Sequence, residues 1–67
     1  MSVAKVTEIS STSEKSFDDA VHQGISRASK TLKNIRSAWI KEQRIDVVEG
    51  RPKLYQVNMK VTFVLND

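Results

Sequence analysis

From Lys53 to Leu65 the chain alternates with a period of two. Tyr55, Val57, Met59, Val61, Phe63 and Leu65 are apolar or aromatic, while Gln56, Asn58, Lys60 and Thr62 between them are polar. Successive strand side chains point to opposite faces, so this pattern predicts a long strand with one buried face. Ile35 to Val48 predicts a second long strand with a less regular pattern, and Glu49-Gly50-Arg51-Pro52 supplies a tight turn between the two. Ser2 to Ile9, with the rough alternation V-A-K-V-T-E-I, predicts a short first strand, and S-S-T-S after it a loop.

Phe17, Ala20, Val21, Gly24, Ile25, Ala28 and Leu32 follow a different rule. Their spacing builds one stripe along a helix running from about residue 17 to about residue 32. Ser16 heads this helix, with its hydroxyl placed to accept from the backbone N–H of Asp19. Gly24 lies within the stripe, where the missing side chain lets another backbone come close. The element order is therefore β-α-β-β. Two long strands joined by a tight turn run antiparallel, and the helix stripe covers one face of their sheet. The expected fold is α+β, a three-stranded antiparallel sheet with one helix packed on it, in a single domain over residues 1–67.

Size changes the picture next. A 67-residue chain buries only about 60% of its unfolded surface, so one core is marginal. With no cysteine, disulfides and thiolate sites are excluded, and with a single histidine, His22, so is a histidine-based zinc site within one chain. Strands of about 13 residues reach ~40 Å, and a helix of about 16 residues shields only ~24 Å of that. Self-assembly through the strand ends and the polar sheet face is the expected remedy. No apolar run is long enough to span a membrane, and M-S-V-A-K-V lacks a hydrophobic signal region, so a cytoplasmic protein is expected.

The net charge of +3 is unevenly placed. Residues 1–22 carry −2, residues 23–44 carry +5, and residues 45–67 balance. An acidic helix start and basic helix end suit the macrodipole, and the basic segment is also a candidate anion site.

Three stretches, V-A-K-V-T-E-I-S-S-T-S, D-D-A-V-H-Q-G-I-S-R-A-S-K-T-L-K-N-I-R and Y-Q-V-N-M-K-V-T-F-V-L, resemble in order, spacing and total length the dodecins, small proteins of β-α-β-β order. The resemblance spans nearly the whole chain. It implies a hollow homododecamer without catalytic activity, in which flavins such as FMN or riboflavin are stored between subunits, stacked between tryptophans. In the family the stacking tryptophan follows an arginine in a run like R-W-F-E-V. Here that run reads Arg36-Ser37-Ala38-Trp39-Ile40, so Ser37 takes the tryptophan position and Trp39 stands two residues further on. Strand residues two apart share a face and lie ~6.6–6.8 Å apart. Gln56 matches the glutamine that hydrogen-bonds the polar edge of the flavin ring, and Arg44 matches a basic position suited to a phosphate. The polar half of the flavin site is present, and the stacking half is absent or moved.

Trp39 has three readings: a ring buried at a subunit interface, a displaced platform for a flavin or other planar ligand, or a simply exposed side chain. Gln56 has two, ligand partner or ordinary polar strand residue. A shell that does not hold flavin tightly could instead hold coenzyme A, whose phosphates suit Arg36, Lys41 and Arg44, or a cation such as calcium near Glu8, Glu14, Asp18 and Asp19. A nucleic-acid-binding module using Lys41, Arg51, Lys60 and the rings of Trp39 and Tyr55 is a weaker alternative, because no RNA-binding signature accompanies them. No pair of groups suggests acid–base catalysis.

Overall fold

The structure, a computed structural model, describes residues 3–65. Strand β1 runs from Ala4 to Ser13, helix α1 from Phe17 to Ala28, strand β2 from Ile35 to Val48 and strand β3 from Arg51 to Val64. The three strands form one sheet in the order β1-β3-β2, with β3 antiparallel to both neighbours. The fold is the expected α+β arrangement. Its boundaries differ in two places. The S-S-T-S stretch belongs to β1, because Ser10, Ser11, Thr12 and Ser13 pair with Asn58, Val57, Gln56 and Tyr55 of β3. The helix ends at Ala28, and a turn carries the chain on to Leu32, whose N–H still donates to the Ala28 carbonyl. The Ser29 hydroxyl donates to the Ile25 carbonyl at 2.8 Å, a side-chain bond that competes with continued helix. Of the first strand predicted, Ser2 lies outside the described residues.

The β2–β3 turn is tighter than expected. Glu49 and Gly50 alone form it, with φ of 52° and 75°. Positive φ at both central residues is what a two-residue hairpin turn with the right twist requires. Pro52 therefore lies inside β3, opposite Val47. It is tolerated there because β1 stops at Ser13, opposite Tyr55, so that end of β3 has only one neighbour and the missing N–H breaks no ladder.

Alternate residues of β3 make the core. Val57, Met59 and Val61 are fully buried, and Ala20 of α1 meets Val57 and Met59, with Ile9, Phe17, Val21 and Ile25 around them. The Phe17 ring meets that of Tyr55 edge-on, centroids 5.2 Å apart. Gly24 is where the helix comes closest to the sheet. A Cβ there would lie 2.8 Å from Met59 Cε and 2.9 Å from Ser11 Cβ. Gly24→Ala gains up to about 1 kcal/mol of helix propensity, but overpacking costs about 1–3 kcal/mol, and the Ser11 Cβ is backbone-anchored and cannot swing away. A lowered thermal midpoint is expected; an unchanged or raised one would mean that helix and sheet separate easily.

The start of α1 is locked to the end of β1. Ser16 caps the helix and accepts from the Asp19 N–H at 3.0 Å. The buried Ser13 hydroxyl donates to Asp19 Oδ2 at 2.6 Å and accepts from the Lys15 N–H at 2.9 Å. The Gln23 amide donates to the same carboxylate oxygen at 2.9 Å. The Ser13 hydroxyl first, and then the Gln23 amide, hold the Asp19 carboxyl below its ordinary range. A carboxylate with a depressed folded-state pKa stabilises the fold above its unfolded value and loses that contribution as pH falls through the folded one. Asp19→Asn should therefore flatten the acid side of the stability profile below about pH 4, as measured by thermal midpoint against pH. An unaltered acid limb would remove Asp19 from the list of acid-labile groups.

One helix does not finish the job. Twelve residues of α1 span ~18 Å, against ~46 Å for a 14-residue strand. The described residues extend over 51 × 19 × 13 Å, with a radius of gyration of 13.8 Å, against about 11 Å for a compact chain of this length. α1 packs on β1 and β3, which leaves β2 bare. Ile40 and Ile45 lie opposite Met59 and Tyr55, on the helix side of the sheet, and both are exposed.

Candidate functional site

The face of the sheet away from α1 is built by register. Lys60 lies between the buried Met59 and Val61, so it points away from the helix, as do Gln56, Asn58 and Thr62. Across β3 from these residues stand Glu8, Ser10 and Thr12 of β1 and Ser37, Trp39, Glu42 and Arg44 of β2. The rows read Val6–Thr62–Ser37, Glu8–Lys60–Trp39, Ser10–Asn58–Glu42 and Thr12–Gln56–Arg44. Ser37 and Trp39 share this open face, as their spacing predicts.

The irregular pattern of β2 has a structural cause. The pairing slips at Arg36 and at Lys41, each an extra residue on β2, and a third irregularity lies at Asp46/Val47. Each inserted residue switches which positions face out. Before Lys41 the odd residues Ser37 and Trp39 face away from the helix, and after it the even residues Glu42 and Arg44 do. Such a slip leaves no local signature in a sequence of mixed polarity.

Gln56 is fixed in place by its neighbours. Its amide donates to Ser10 Oγ at 2.9 Å and to Asn58 Oδ1 at 3.3 Å, and the Asn58 amide donates to Glu42 Oε1 at 3.0 Å. The Gln56 carbonyl oxygen is left to serve as an acceptor. Arg44 lies directly opposite, and Glu42, Gln43, Arg44, Gln56 and Asn58 line a shallow recess of about 280 Å³. The Arg44 guanidinium reaches Asp46 at 3.4 Å, with the Arg44 side chain largely exposed and that of Asp46 nearly half exposed; pairs of this kind contribute little. The bulged Lys41 reaches over β3 to Glu8, Nζ to Oε1 at 2.7 Å. That hydrogen bond, with the charge of Lys41, holds the Glu8 carboxyl below its ordinary range and in return raises the Lys41 ammonium.

The expected site residues thus fall into two groups. Gln56 and Arg44 are paired across β2 and β3. Trp39 pairs with Lys60 and Ser37 with Thr62, ~13 Å and ~20 Å along β3 from Gln56 at ~3.3 Å per residue. One chain does not bring the two groups together. Polar partners that sequence reasoning did not single out, Ser10, Asn58 and Glu42, tie the Gln56 end together; only the alternation of β3 hinted at them. Tyr55 is a correction of another kind: it lies on the helix side against Phe17, so it shares no face with Trp39, and the proposed pair of stacking rings does not form. Of the three cations considered for coenzyme A, Lys41 is committed to Glu8 at 2.7 Å, while the exposed Arg44–Asp46 pair at 3.4 Å is weak and leaves Arg44 able to meet a phosphate. Among the described residues no three His, Asp or Glu side chains gather around a point that could hold a metal ion. No described helix is long and apolar enough to cross a membrane.

Known proteins share this fold. The family profile of the dodecins matches residues 3–66. A dodecin of Thermus thermophilus is 35% identical over 65 residues, which span 97% of this chain and 94% of that protein. The dodecin from Streptomyces davaonensis has a solved structure that matches with a TM-score of 0.93 at 38% identity, over 98% of this chain and 97% of its own. The calcium dodecin of Mycobacterium tuberculosis, a calcium-chelating antigen, matches with a TM-score of 0.82 at 30% identity, over 96% and 91% of the two chains. Profile, sequence and backbone agree over almost the full length: this chain belongs to the dodecin family.

Proposed function

We propose that the chain is the subunit of a hollow homododecamer that binds and stores a small planar ligand of the flavin class, FMN or riboflavin, without catalysing a reaction. The observation that carries this is the open sheet face, where Gln56 is held by Ser10 and Asn58 with its carbonyl oxygen free and Arg44 beside it. Gln56 would meet the polar edge of the ring and Arg44 a phosphate. Because Ser37 and Trp39 lie far from this pair within one chain, ring and edge contacts would come from different copies, which makes assembly a condition of binding. The exposed apolar side chains Ile40, Ile45, Val47 and Val48 favour the same conclusion, since a lone chain leaves them in water.

With Ser37 where the family has a ring, each missing stack costs about 1–3 kcal/mol, so flavin is held weakly. A calcium-holding shell has the M. tuberculosis relative in its favour, but in this chain it would need carboxylates from several copies to reach six to eight oxygens. Titrating protein into FMN and into riboflavin while following flavin emission tests the reading. Saturable quenching is expected; emission unchanged at protein concentrations in the hundreds of micromolar would overturn it.

A further inference from the structure

We propose that Trp39 is itself the platform for the ring, in place of residue 37, and that the ligand it selects carries an anionic group, as FMN does and riboflavin does not. This rests on the flavin-class reading above and adds to it the residue that stacks and the charge that is preferred.

Three observations converge on one corner of the open face. Trp39 is 60% exposed, whereas Phe17, Tyr55 and Phe63 are all partly buried. A tryptophan in water on a largely polar face does nothing for the fold of its own chain. Its cross-strand partner is Lys60, which makes no ion pair within 4 Å among the described residues, because Glu8, the carboxylate on its other side, is committed to Lys41 at 2.7 Å. The ammonium is thus left over beside the ring. In the adjoining row Ser37 is exposed, and the Thr62 hydroxyl opposite is buried and has no hydrogen-bond partner.

An exposed ring, a free cation one strand away and a small exposed serine in the next row together suit a flat heteroaromatic with a phosphate. The ring stacks on the indole, its polar edge stays with Gln56 of a neighbouring copy, and Lys60 adds its charge to that of Arg44 at the phosphate. The serine that removes the family's platform also clears the space next to the new one.

The test uses the assembled full chain, with FMN and riboflavin as probes and flavin emission as the readout. Trp39→Ala is expected to weaken both flavins about 10- to 100-fold, and Trp39→Phe, which keeps a ring, to recover most of that. Lys60→Gln should weaken FMN about threefold and leave riboflavin unchanged. A Trp39→Ala protein that binds both flavins as the wild type does overturns the proposal and leaves the flavin reading standing. A wild type that quenches neither flavin removes the reading, and the proposal with it. Should Trp39→Ala fail to assemble, the wild type still decides, since Trp39 is its only tryptophan. Indole emission open to acrylamide without ligand and protected by FMN supports the platform; emission already protected without ligand means that a second copy covers the ring, and overturns it.

Discussion

Met59→Ala is expected to destabilise the protein by about 2–5 kcal/mol, the range for emptying a buried methionine site. The side chain is fully buried in the middle of β3, with Ile9 of β1 and Ile40 of β2 directly opposite. Its Cε reaches to where a side chain on Gly24 would begin, so it fills the gap between helix and sheet at their closest approach. With Val57, Met59 and Val61 the fully buried large side chains among the described residues, little else can collapse into the void. For a domain of this size about 4–8 °C of thermal midpoint accompanies each kcal/mol, so a fall of at least about 8 °C is expected by circular dichroism, with earlier dissociation of the assembly. Met59→Leu, which nearly conserves volume, should cost less than about 1.5 kcal/mol. If Met59→Ala unfolds where the wild type does, the core has been assigned to the wrong residues.

The second large effect is a gain. Ser37→Trp is expected to tighten flavin binding about 10- to 100-fold, from the ~1–3 kcal/mol of an added base-type stack. Ser37 is exposed on the open face opposite Thr62, so the new ring displaces no core side chain. Strand side chains stand roughly perpendicular to the sheet, and residues two apart are separated by ~6.6–6.8 Å. The introduced ring and Trp39 would therefore stand side by side on one face with room for a flat ligand between them. Flavin emission quenching gives the measurement. An affinity no better than wild type would mean that the Gln56 end is never brought up to this corner by a neighbouring copy, which removes the shared site at the centre of the proposed function.

The alternation of β3 and the three-and-four spacing of α1 made the architecture legible, because both periods act through burial and both faces are clear-cut in composition. Gly24 was legible as a close approach for the same reason, although side-chain atoms of Met59 and Ser11, rather than a backbone, fill the space. The serines of β1 were not legible as strand. Their weak propensity is overridden by pairing with β3 and by the needs of small residues beneath the helix, where Ser11 lies next to Gly24. The candidate site was half legible. The residue types at 37, 44 and 56 could be aligned with a family pattern, Trp39 stood two residues beyond the family's ring, and the shared side of Ser37 and Trp39 followed from spacing. The slip at Lys41 could not be foreseen, and it decides which later residues of β2 join them. The distance between the Gln56 and Trp39 ends was equally hidden, because it depends on the register between strands.

The most direct single measurement is sedimentation velocity of the wild-type protein in excess FMN, followed in both the protein and the flavin absorbance bands. Twelve copies of 7.6 kDa give a particle of about 91 kDa, and the flavin absorbance is expected to move with that boundary. Flavin that stays behind a dodecameric boundary, or protein that sediments as a monomer or dimer, would contradict a ligand site built between the copies of a shell.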